Sequence, residues 1–241
     1  MKLELHVHTK YSKDSFLCFL PLYLKCRLLH IEYIAITEHN NIEGGLQFQQ
    51  YCKLHGDKVH VIVGEEINTQ DGEIIGLFLS QNIVPGKSAV ETISDIKSQN
   101  GIVLVPHPFD EKRAKTVLKE CVIAENRELI DCIEVYNGRN SSLHYGNKQL
   151  EIGDRYGIPH VIGSDAHTWM EIGRNYMVVD AQVDSPEHFK EVIETAKFHK
   201  ESCIRSAHVV TKFVKTVKLM RKGKFDELYR IVIRKFKKGV H

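Results

Sequence analysis

Near the amino terminus the sequence reads Leu5-His6-Val7-His8-Thr9-Lys10-Tyr11-Ser12-Lys13-Asp14. Leucine and valine alternate there with histidine, which is the pattern of a β-strand. Side chains at positions i and i+2 of a strand lie on one face, so we expect His6 and His8 to converge, with Asp14 a short loop away. Two converging neutral imidazoles are suited to a divalent cation. A pair of solvent-facing histidines on an edge strand is the alternative, and this stretch alone favours neither.

The length and composition predict a globular protein with one large core. The chain has 241 residues, of which 42% are hydrophobic and 27% are charged. One barrel-type domain fits this length as well as two small domains do. Twelve of the 33 Lys and Arg residues, but two of the 31 Asp and Glu residues, lie in 205–241. The acidic body suits divalent cations, and the basic tail suits an anionic partner.

The cysteines and the hydropathy pattern predict a cytoplasmic protein. Six cysteines occur without a CxxC pair or the spacing of a disulfide framework, so we expect them to be reduced. No apolar run reaches the length of a transmembrane helix. The amino terminus also lacks the apolar region of a signal peptide. We therefore expect no transmembrane segment.

Strands alternate with helices along the chain. Apolar runs predict strands at 3–7, 32–37, 59–63, 73–80, 101–105, 131–136, 159–162 and 177–180. Helical patterns lie at 16–30, 43–55, 88–99, 112–129, 142–156 and 186–200. This alternation predicts a parallel sheet with crossover helices, and about seven units predict a closed or nearly closed β/α barrel. An open doubly wound sheet is the alternative, but the sequence has no GxGxxG turn to support a dinucleotide site.

Polar side chains follow the predicted strands where each strand ends, which is the edge at which a β/α barrel gathers its active site. Nitrogen and carboxylate ligands without cysteine suit Zn, Mn or Fe(II) better than a structural thiolate site. Nine groups are too many for one ion, so we expect two or three metal ions bridged by carboxylates. The candidate ligands are His6, His8, Asp14, His39, Glu65, Glu73, His107, Asp165 and His167.

Four carboxylates and amides near these candidates are harder to assign. Glu38 and Glu66 each lie next to a candidate ligand, and we expect them to support a ligand or to face solvent. Glu134 and Asn137 lie beside the predicted site, where they either contribute to it or hydrogen-bond the barrel loops. Glu73 is either a metal ligand or a solvent-exposed residue at the end of a strand, and the sequence favours neither.

Five motifs occur in order over about three quarters of the chain, each at a strand end: HxHTxxSxD, TEHN, GEE, HPF and GSDAH. Together they resemble the motif set of the polymerase and histidinol phosphatase (PHP) superfamily. The resemblance implies a distorted (β/α)7 TIM-like barrel with a trinuclear metal site at the carboxyl ends of the strands. It implies one metal on His6, His8, Glu65 and Asp165, a second on Asp14, His39 and His167, and a third on Glu65 and His107.

The chain departs from the family pattern at one position. Many relatives carry a further histidine on the strand after the GEE motif, and this sequence has none between His60 and His107. Glu73 is the nearest replacement, and a carboxylate is able to serve as the ligand. The departure bears on the occupancy of the third metal site and on the ion it prefers.

The predicted activity is hydrolysis of a phosphate ester by a hydroxide that bridges two metal ions, with Glu65, Asp165 and His167 in the catalytic centre. A cation would stabilise the charge that develops on the phosphate oxygens. Arg139 and Arg174 are the candidates, because a guanidinium group fits phosphate and both follow motifs at strand ends. An ordinary surface arginine is the alternative for each.

The sequence predicts a barrel domain at 1–204 and a basic, amphipathic helical tail at 205–241. Val210, Phe213, Val214, Val217 and Met220 lie on one helical face. After Gly223, a second helical face holds Phe225, Leu228, Tyr229, Val232 and Phe236. The tail either packs on the barrel or offers a basic surface to an anionic membrane, a nucleic acid or a phosphorylated polymer.

The substrate class stays open. A phosphorylated small metabolite, a nucleotide or an oligonucleotide would suit the predicted site. A histidinol-phosphate phosphatase and a nuclease whose tail holds a strand are the alternatives within the family. A non-catalytic metal-binding domain is less favoured, because the ligand set is complete. An amide hydrolase on a similar barrel typically has a lysine at a strand end, and no lysine occupies such a position here.

Overall fold

A computed structural model of the chain describes residues 1–110, 113, 116–140, 146–221, 223–224 and 226. Nine strands of the described residues form one sheet, in the order β7-β6-β5-β4-β3-β2-β1-β8-β9. They are β1 (Lys2–Val7), β2 (Tyr33–His39), β3 (His60–Asn68), β4 (Glu73–Leu77), β5 (Ile102–Val105), β6 (Cys132–Asn137), β7 (His160–Gly163), β8 (Tyr176–Val178) and β9 (Lys197–His199).

The sheet curves into a nearly closed barrel, because the segment after β7 returns to β1. Val7 and Ala166 form a parallel bridge. The His8 amide donates to the carbonyl of Ala166 at 2.8 Å, and the Ser164 amide donates to the carbonyl of Leu5 at 2.9 Å. This contact closes the barrel at the carboxyl end of β1, so the predicted (β/α) barrel class is confirmed. The histidine-rich end of β1 thereby lies next to the GSDAH segment.

The expectation of a parallel sheet is wrong for the fourth strand, and also for β8, which pairs antiparallel with both β1 and β9. β4 pairs antiparallel with both β3 and β5, and no helix connects β3 to β4. The four-residue link between Asn68 and Glu73 is too short for a crossover, so the chain turns back as a hairpin. Consequently the first residue of β4, Glu73, lies at the edge where β3 ends.

Seven helices occur among the described residues: α1 (Phe19–Leu29), α2 (Glu43–Leu54), α3 (Ala89–Ser98), α4 (Glu120–Glu125), α5 (Asn147–Tyr156), α6 (Pro186–Ile193) and α7 (Arg205–Arg221). Local sequence explains α3, where the Ser88 side chain and Glu91 form a capping box. Pro21 does not disturb α1, because it lies in the first turn, where a backbone N–H is not needed.

Two predicted helices are shorter than their patterns indicate. Residues 112, 114 and 115 of the helix expected at 112–129 lie outside the described residues. In the described part of this span, Lys119 is extended, α4 begins after it, and a 3-10 turn follows at Arg127–Leu129. The helix expected at 186–200 ends at Ile193. Residues Lys197–His199 instead pair with β8 as β9, since the edge of β8 offers backbone hydrogen bonds that a helix end does not.

Helix α7 packs against the barrel. Ala207, Val214 and Leu219 are buried, and Lys218 Nζ donates to the backbone oxygens of Lys10, Ser12 and Ser15 at 2.6–2.7 Å. The first half of the predicted tail therefore covers the loop that follows β1. The hydrophobic positions of the predicted second tail helix lie outside the described residues.

Within the part of the chain that the structure describes, every helix is too short or too polar to cross a membrane.

Glu4 is a buried carboxyl group on β1 whose charge state depends on pH. Its side chain has no exposed surface and accepts a hydrogen bond from the Gly173 amide at 2.8 Å. Burial raises the pKa of Glu4 from 4.5 to about 8, although the Gly173 amide opposes the shift. At neutral pH the folded chain therefore holds a proton that the unfolded chain has released.

We predict that the free energy of unfolding falls less steeply with rising pH in Glu4→Gln than in the wild type. Because the pKa is raised on folding, the free energy of unfolding falls between pH 4.5 and 8 in the wild type, by up to about 4 kcal/mol from this group. Urea unfolding at pH 5.5, 7 and 8.5 measures the slope, with chelator present throughout. The exposed Glu191→Gln variant should keep the wild-type slope. An equal slope in wild type and Glu4→Gln would contradict the prediction.

Candidate metal centre

Five histidines and four carboxylates meet at the carboxyl-end edge of the barrel. Most of these side chains are fully buried, and the nitrogen and oxygen atoms form groups of three within 4.8 Å of one another. These groups are His6 with His8 and Asp165, His6 with Glu66 and His107, His39 with Glu66 and Glu73, and His8 with His39 and His167. Asp14 lies beside the last group.

A β-bulge in β1 aims the first two histidines at this cluster. The pairing of β1 with β2 shifts register between Glu4 and Val7, and His6 has a φ of 65°. His6 Nε2 lies 3.5 Å from Glu66 and 3.6 Å from Asp165, and His8 Nε2 lies 3.4 Å and 3.5 Å from the same carboxylates. The two imidazoles converge as predicted, but through a bulge rather than a regular strand.

Two more cluster residues share the left-handed backbone region. His107 has a φ of 31° and Asp165 a φ of 51°, values that residues other than glycine rarely adopt. Such backbone conformations persist only where surrounding contacts hold them, and they concentrate at functional sites. Three strained residues within one buried cluster indicate that the fold is organised to place these side chains.

The structure places Glu66 in the cluster, and not the predicted Glu65. Glu66 pairs with His39 across β2 and β3, and its carboxylate lies 2.8 Å from His39 Nδ1 and 2.9 Å from His107 Nε2. Glu65 faces the other side of β3 and accepts a hydrogen bond from the Ile83 amide at 2.9 Å. Neighbouring residues of a strand face opposite sides, so only one of the two glutamates reaches the cluster.

Glu73 reaches the cluster because β4 is antiparallel. It pairs with Asn68, which lies two residues beyond Glu66 and therefore on the same face of β3. Glu73 Oε2 lies 3.6 Å from His107 Nε2, and Glu73 Oε1 accepts a hydrogen bond from Asn68 Nδ2 at 2.8 Å. The glutamate thus occupies the side of the cluster for which the sequence offered no histidine.

Asp14 lies between two histidines from different parts of the chain. Its Oδ1 is 3.4 Å from His39 Nε2 and 3.4 Å from His167 Nε2. The loop that presents Asp14 is held by Lys218 and by Ser15, whose hydroxyl contacts the carbonyl oxygens of His8 and His167. This geometry brings together the second predicted ligand group of Asp14, His39 and His167.

Hydrogen bonds orient three of the imidazoles through their Nδ1 atoms. His6 Nδ1 donates to Glu134 at 2.7 Å, and His167 Nδ1 donates to the carbonyl of Asp165 at 2.8 Å. His8 Nδ1 lies 3.2 Å from Ser12 Oγ. The Ser12 hydroxyl donates to Glu38, so Ser12 is the acceptor toward His8. These contacts place a proton on Nδ1 of each ring, and a neutral ring with its proton there leaves Nε2 free for a metal ion.

Glu134 has a larger role than its sequence position indicates. Besides His6, it accepts hydrogen bonds from the His107 amide at 2.7 Å and from Asn137 Nδ2 at 3.1 Å. One buried carboxylate therefore positions both histidines that flank Glu66. Its place on β6, three residues before Asn137, put Glu134 beside the predicted site, but its contacts with His6 and His107 depend on the tertiary structure.

Among the described residues, an arginine that reaches the cluster is Arg113, which was not among the predicted cations. Its Nη2 donates to Asp165, and its Nε lies 3.4 Å from Asp110. The Arg113 side chain is 27% exposed, so its guanidinium group lies between the cluster and solvent. It falls in the segment expected to be helical, and nothing in the sequence distinguished it from the other basic residues there.

The two predicted arginines are turned elsewhere. Arg139 Nε lies 3.4 Å from Glu171, and Arg139 Nη2 donates to Thr211 of α7 at 2.9 Å. Arg174 pairs with Glu201 at 2.8 Å. Arg139 still affects the site indirectly, because Glu171 accepts hydrogen bonds from the His167 and Thr168 amides. The direction of a loop side chain depends on its tertiary partners, which the sequence pattern does not contain.

Charges of both signs are buried together in this cluster. Burial opposes ionisation of Glu66, but the charges of His39 and His6 hold its pKa well below the usual range. Burial opposes protonation of His39, yet Glu66 and Asp14 raise its pKa to about 10. Burial and the charges of His167 and His39 lower the pKa of His8 well below its ordinary value. Glu66 is therefore anionic in this cluster, and His8 is held neutral.

The arrangement fits divalent metal ions. Among the described residues, His6 Nε2, His8 Nε2, Asp14 Oδ1 and Asp165 Oδ1 are buried without a hydrogen-bond partner. A buried polar atom without a partner costs free energy unless a ligand satisfies it. These four atoms lie in the same groups of nitrogen and carboxylate donors, which is the ligand chemistry of zinc, manganese and iron sites.

Comparison with known families and proteins agrees with the motif analysis. The family model described as PHP domain matches residues 4–239. The chain is 31% identical over 211 residues to the uncharacterized protein MJ0417 of Methanocaldococcus jannaschii, a match that covers 86% of this chain and 83% of that protein. It is 42% identical over 119 residues to the uncharacterized protein MJ1587 of that organism, which covers 45% and 68%.

Solved structures show the same fold. A two-domain protein of Bacteroides vulgatus that contains a predicted PHP-like metal-dependent phosphoesterase superposes with a TM-score of 0.65 at 19% identity. The match covers 83% of this chain, and this chain spans 65% of that longer chain. A putative metal-dependent phosphoesterase of Bifidobacterium adolescentis superposes with a TM-score of 0.60 at 14% identity, covering 79% and 95%.

We predict that Glu66→Gln weakens metal binding at least about tenfold, whereas Glu65→Gln leaves it unchanged. Both residues are fully buried neighbours on β3, so the pair is a matched comparison of the two faces of the strand. Metal content after dialysis and competition with a chromophoric chelator measure the affinity for Mn and Zn. Loss of metal from Glu65→Gln with retention in Glu66→Gln would restore the original assignment.

A second prediction concerns the loop that carries Asp14. Lys218→Met removes the ammonium group that binds three loop carbonyls, so we expect the affinity for the most weakly bound metal ion to fall about tenfold. Lys212→Met, at an exposed position of the same helix, is the control. The same chelator titration measures both variants. Equal affinities in the two variants would show that the Lys218 contact does not support the centre.

Proposed function

The chain belongs to the PHP family, and we propose that it is a metal-dependent phosphoesterase. It has the fold of PHP-like metal-dependent phosphoesterases, with the candidate ligands gathered at one edge of the barrel. The observation that carries the proposal is the group of buried donor atoms without hydrogen-bond partners around Glu66 and Asp165. Such a centre is suited to hydrolysis of phosphate esters.

The proposed ligands form overlapping sets. His6, His8, Glu66 and Asp165 would hold one ion, and Asp14, His39 and His167 a second. His107, Glu73 and Glu66 would hold a third, with Glu66 shared between sites. Two or three Zn, Mn or Fe ions are compatible with these donors. Metal ions bound there lower the pKa of coordinated water and polarise a phosphate oxygen.

The protein's own side chains supply position and charge. Arg113 points from solvent toward Asp165, and its planar guanidinium group is suited to binding two phosphate oxygens. We therefore propose that Arg113, rather than Arg139 or Arg174, stabilises the charge that develops on the phosphate oxygens. Glu134 and Ser12 hold His6 and His8 in the metal-binding tautomer. Asp165 connects the arginine to both histidines, and His167 connects the centre to Asp14.

The proposed substrate is a phosphorylated small molecule or a nucleotide, and histidinol phosphate and oligonucleotides remain the alternatives. The proposed compartment is the cytoplasm, since the six cysteines show neither a CxxC pair nor the spacing of a disulfide framework, which is typical of proteins in a reducing environment. An anionic polymer or membrane surface as a partner of the basic tail stays a prediction. Lys218 of this tail donates a hydrogen bond to the backbone oxygen of Lys10 in the barrel.

Hydrolysis of bis-p-nitrophenyl phosphate and p-nitrophenyl phosphate tests the proposed activity. Metal-stripped protein refilled with Mn or Zn should turn over at least one of the two substrates. We expect His8→Ala to lose at least about 100-fold in kcat/KM, because it removes a buried ligand. His188→Ala, at an exposed position on α6, should retain wild-type turnover.

The ratio of diester to monoester turnover separates nuclease-like from phosphatase-like use of the centre. Absence of turnover with any metal, in protein that binds metal with measured stoichiometry, would reject the general phosphoesterase activity. Equal turnover in His8→Ala and wild type would locate the activity elsewhere.

A further inference from the structure

An apolar pocket of about 220 Å³ opens beside the metal centre. Its walls come from three segments: the start of α1 with the residues before it, the loop after β7, and helix α7. The lining includes Phe16, Leu17, Trp169, Met170, Val210 and Val214. The segments that build the pocket are therefore distant in sequence and meet only in the folded chain.

His167 belongs to both the pocket and the metal centre. It lines the pocket, while its Nε2 lies 3.4 Å from Asp14 and its ring centroid lies 4.3 Å from that of His8. A phosphate group bound at the centre on the side of His167 would therefore lie next to the apolar pocket. The alcohol portion of the ester is the part that would extend into it.

The walls of the pocket are well anchored. Val214 is 3% exposed, and the same helix is fixed by the contacts of Lys218 and Arg139. The loop after β7 is fixed by Glu171, which accepts hydrogen bonds from the amides of His167 and Thr168. Trp169 is 59% exposed at the mouth of the pocket. A ligand that enters would thus bury the tryptophan without displacing the walls.

We propose that this pocket binds an apolar, preferably aromatic, leaving group of the phosphate ester and so makes α7 a determinant of substrate specificity. This inference rests on the proposed phosphoesterase function. An apolar cavity of about 150 Å³ already holds a benzene ring, so the available volume accepts one ring beside the phosphate. An aromatic ring buries a large apolar surface. The pocket should therefore bind an ester with an aromatic leaving group more tightly than one with a small leaving group.

Phenylphosphonate and methylphosphonate test the pocket, because both resemble phosphate monoesters and neither is hydrolysed. Calorimetry on the metal-loaded protein should show phenylphosphonate binding about tenfold more tightly than methylphosphonate. Trp169 is the single tryptophan of the chain, so phenylphosphonate should change its fluorescence more than methylphosphonate does. Equal affinities for the two phosphonates would overturn the proposal.

A matched pair of variants locates the binding. Val210→Phe fills the pocket from α7 and should reduce the phenyl preference to at most about twofold while leaving methylphosphonate affinity unchanged. Val209→Phe adds the same ring at the adjacent position, which is 67% exposed and does not line the pocket. It should keep the tenfold preference. An unchanged preference in Val210→Phe would place the phenyl group elsewhere.

Benzyl alcohol separates failure of the pocket from failure of the proposed function. Saturation-transfer NMR should detect its binding to the wild type and its loss in Val210→Phe. If benzyl alcohol binds and neither phosphonate does, the pocket is an apolar binding site, and the proposed binding of phosphate at the metal centre is rejected. If benzyl alcohol also fails to bind, the pocket is rejected. If the wild type sediments as a dimer and Val210→Phe as a monomer, the pocket is occupied by a second copy of the chain. That result would also reject its role in binding the leaving group.

Discussion

The burial of anionic carboxylates among histidines is the constraint on which this structure depends. Glu66 contacts four imidazoles within 3.5 Å, and Asp165 lies beside two of the same rings and Arg113. Charges removed from water destabilise a fold unless partners or ions compensate them. The positive charge of His6, His39 and Arg113 compensates part of this cost, and divalent ions would satisfy the donor atoms that remain without partners.

Several departures from regular structure serve this cluster. The bulge in β1 directs His6 inward, and the antiparallel course of β4 brings Glu73 to an edge that otherwise receives strand ends. Left-handed backbone at His6, His107 and Asp165 adds local strain. These conformations are held by hydrogen bonds that His6 and the His107 amide donate to Glu134, and by the backbone hydrogen bonds between β1 and the segment after β7. The barrel thus combines a regular core with an irregular functional edge.

The carboxyl-terminal helix is integrated into the site rather than attached beside it. Lys218 connects α7 to the loop that presents Asp14, and Arg139 connects the same helix, through Glu171, to the loop that presents His167. Both loops flank the centre, so α7 couples the two sides of its opening. The basic residues of this helix therefore include some that stabilise backbone carbonyls and are not available to a partner.

Local sequence patterns predict the barrel class, the edge at which the candidate site lies and most of the residues that meet there. These follow from local patterns: apolar runs define strands, and polar residues after them mark the carboxyl ends. Tertiary structure alone decided between Glu65 and Glu66, because the phase of β3 is set by its pairing with β2 and both residues fit the local pattern. It also selected Arg113 over Arg139 and Arg174, and it brought α7 to the site, because side-chain direction and helix docking depend on partners distant in the chain.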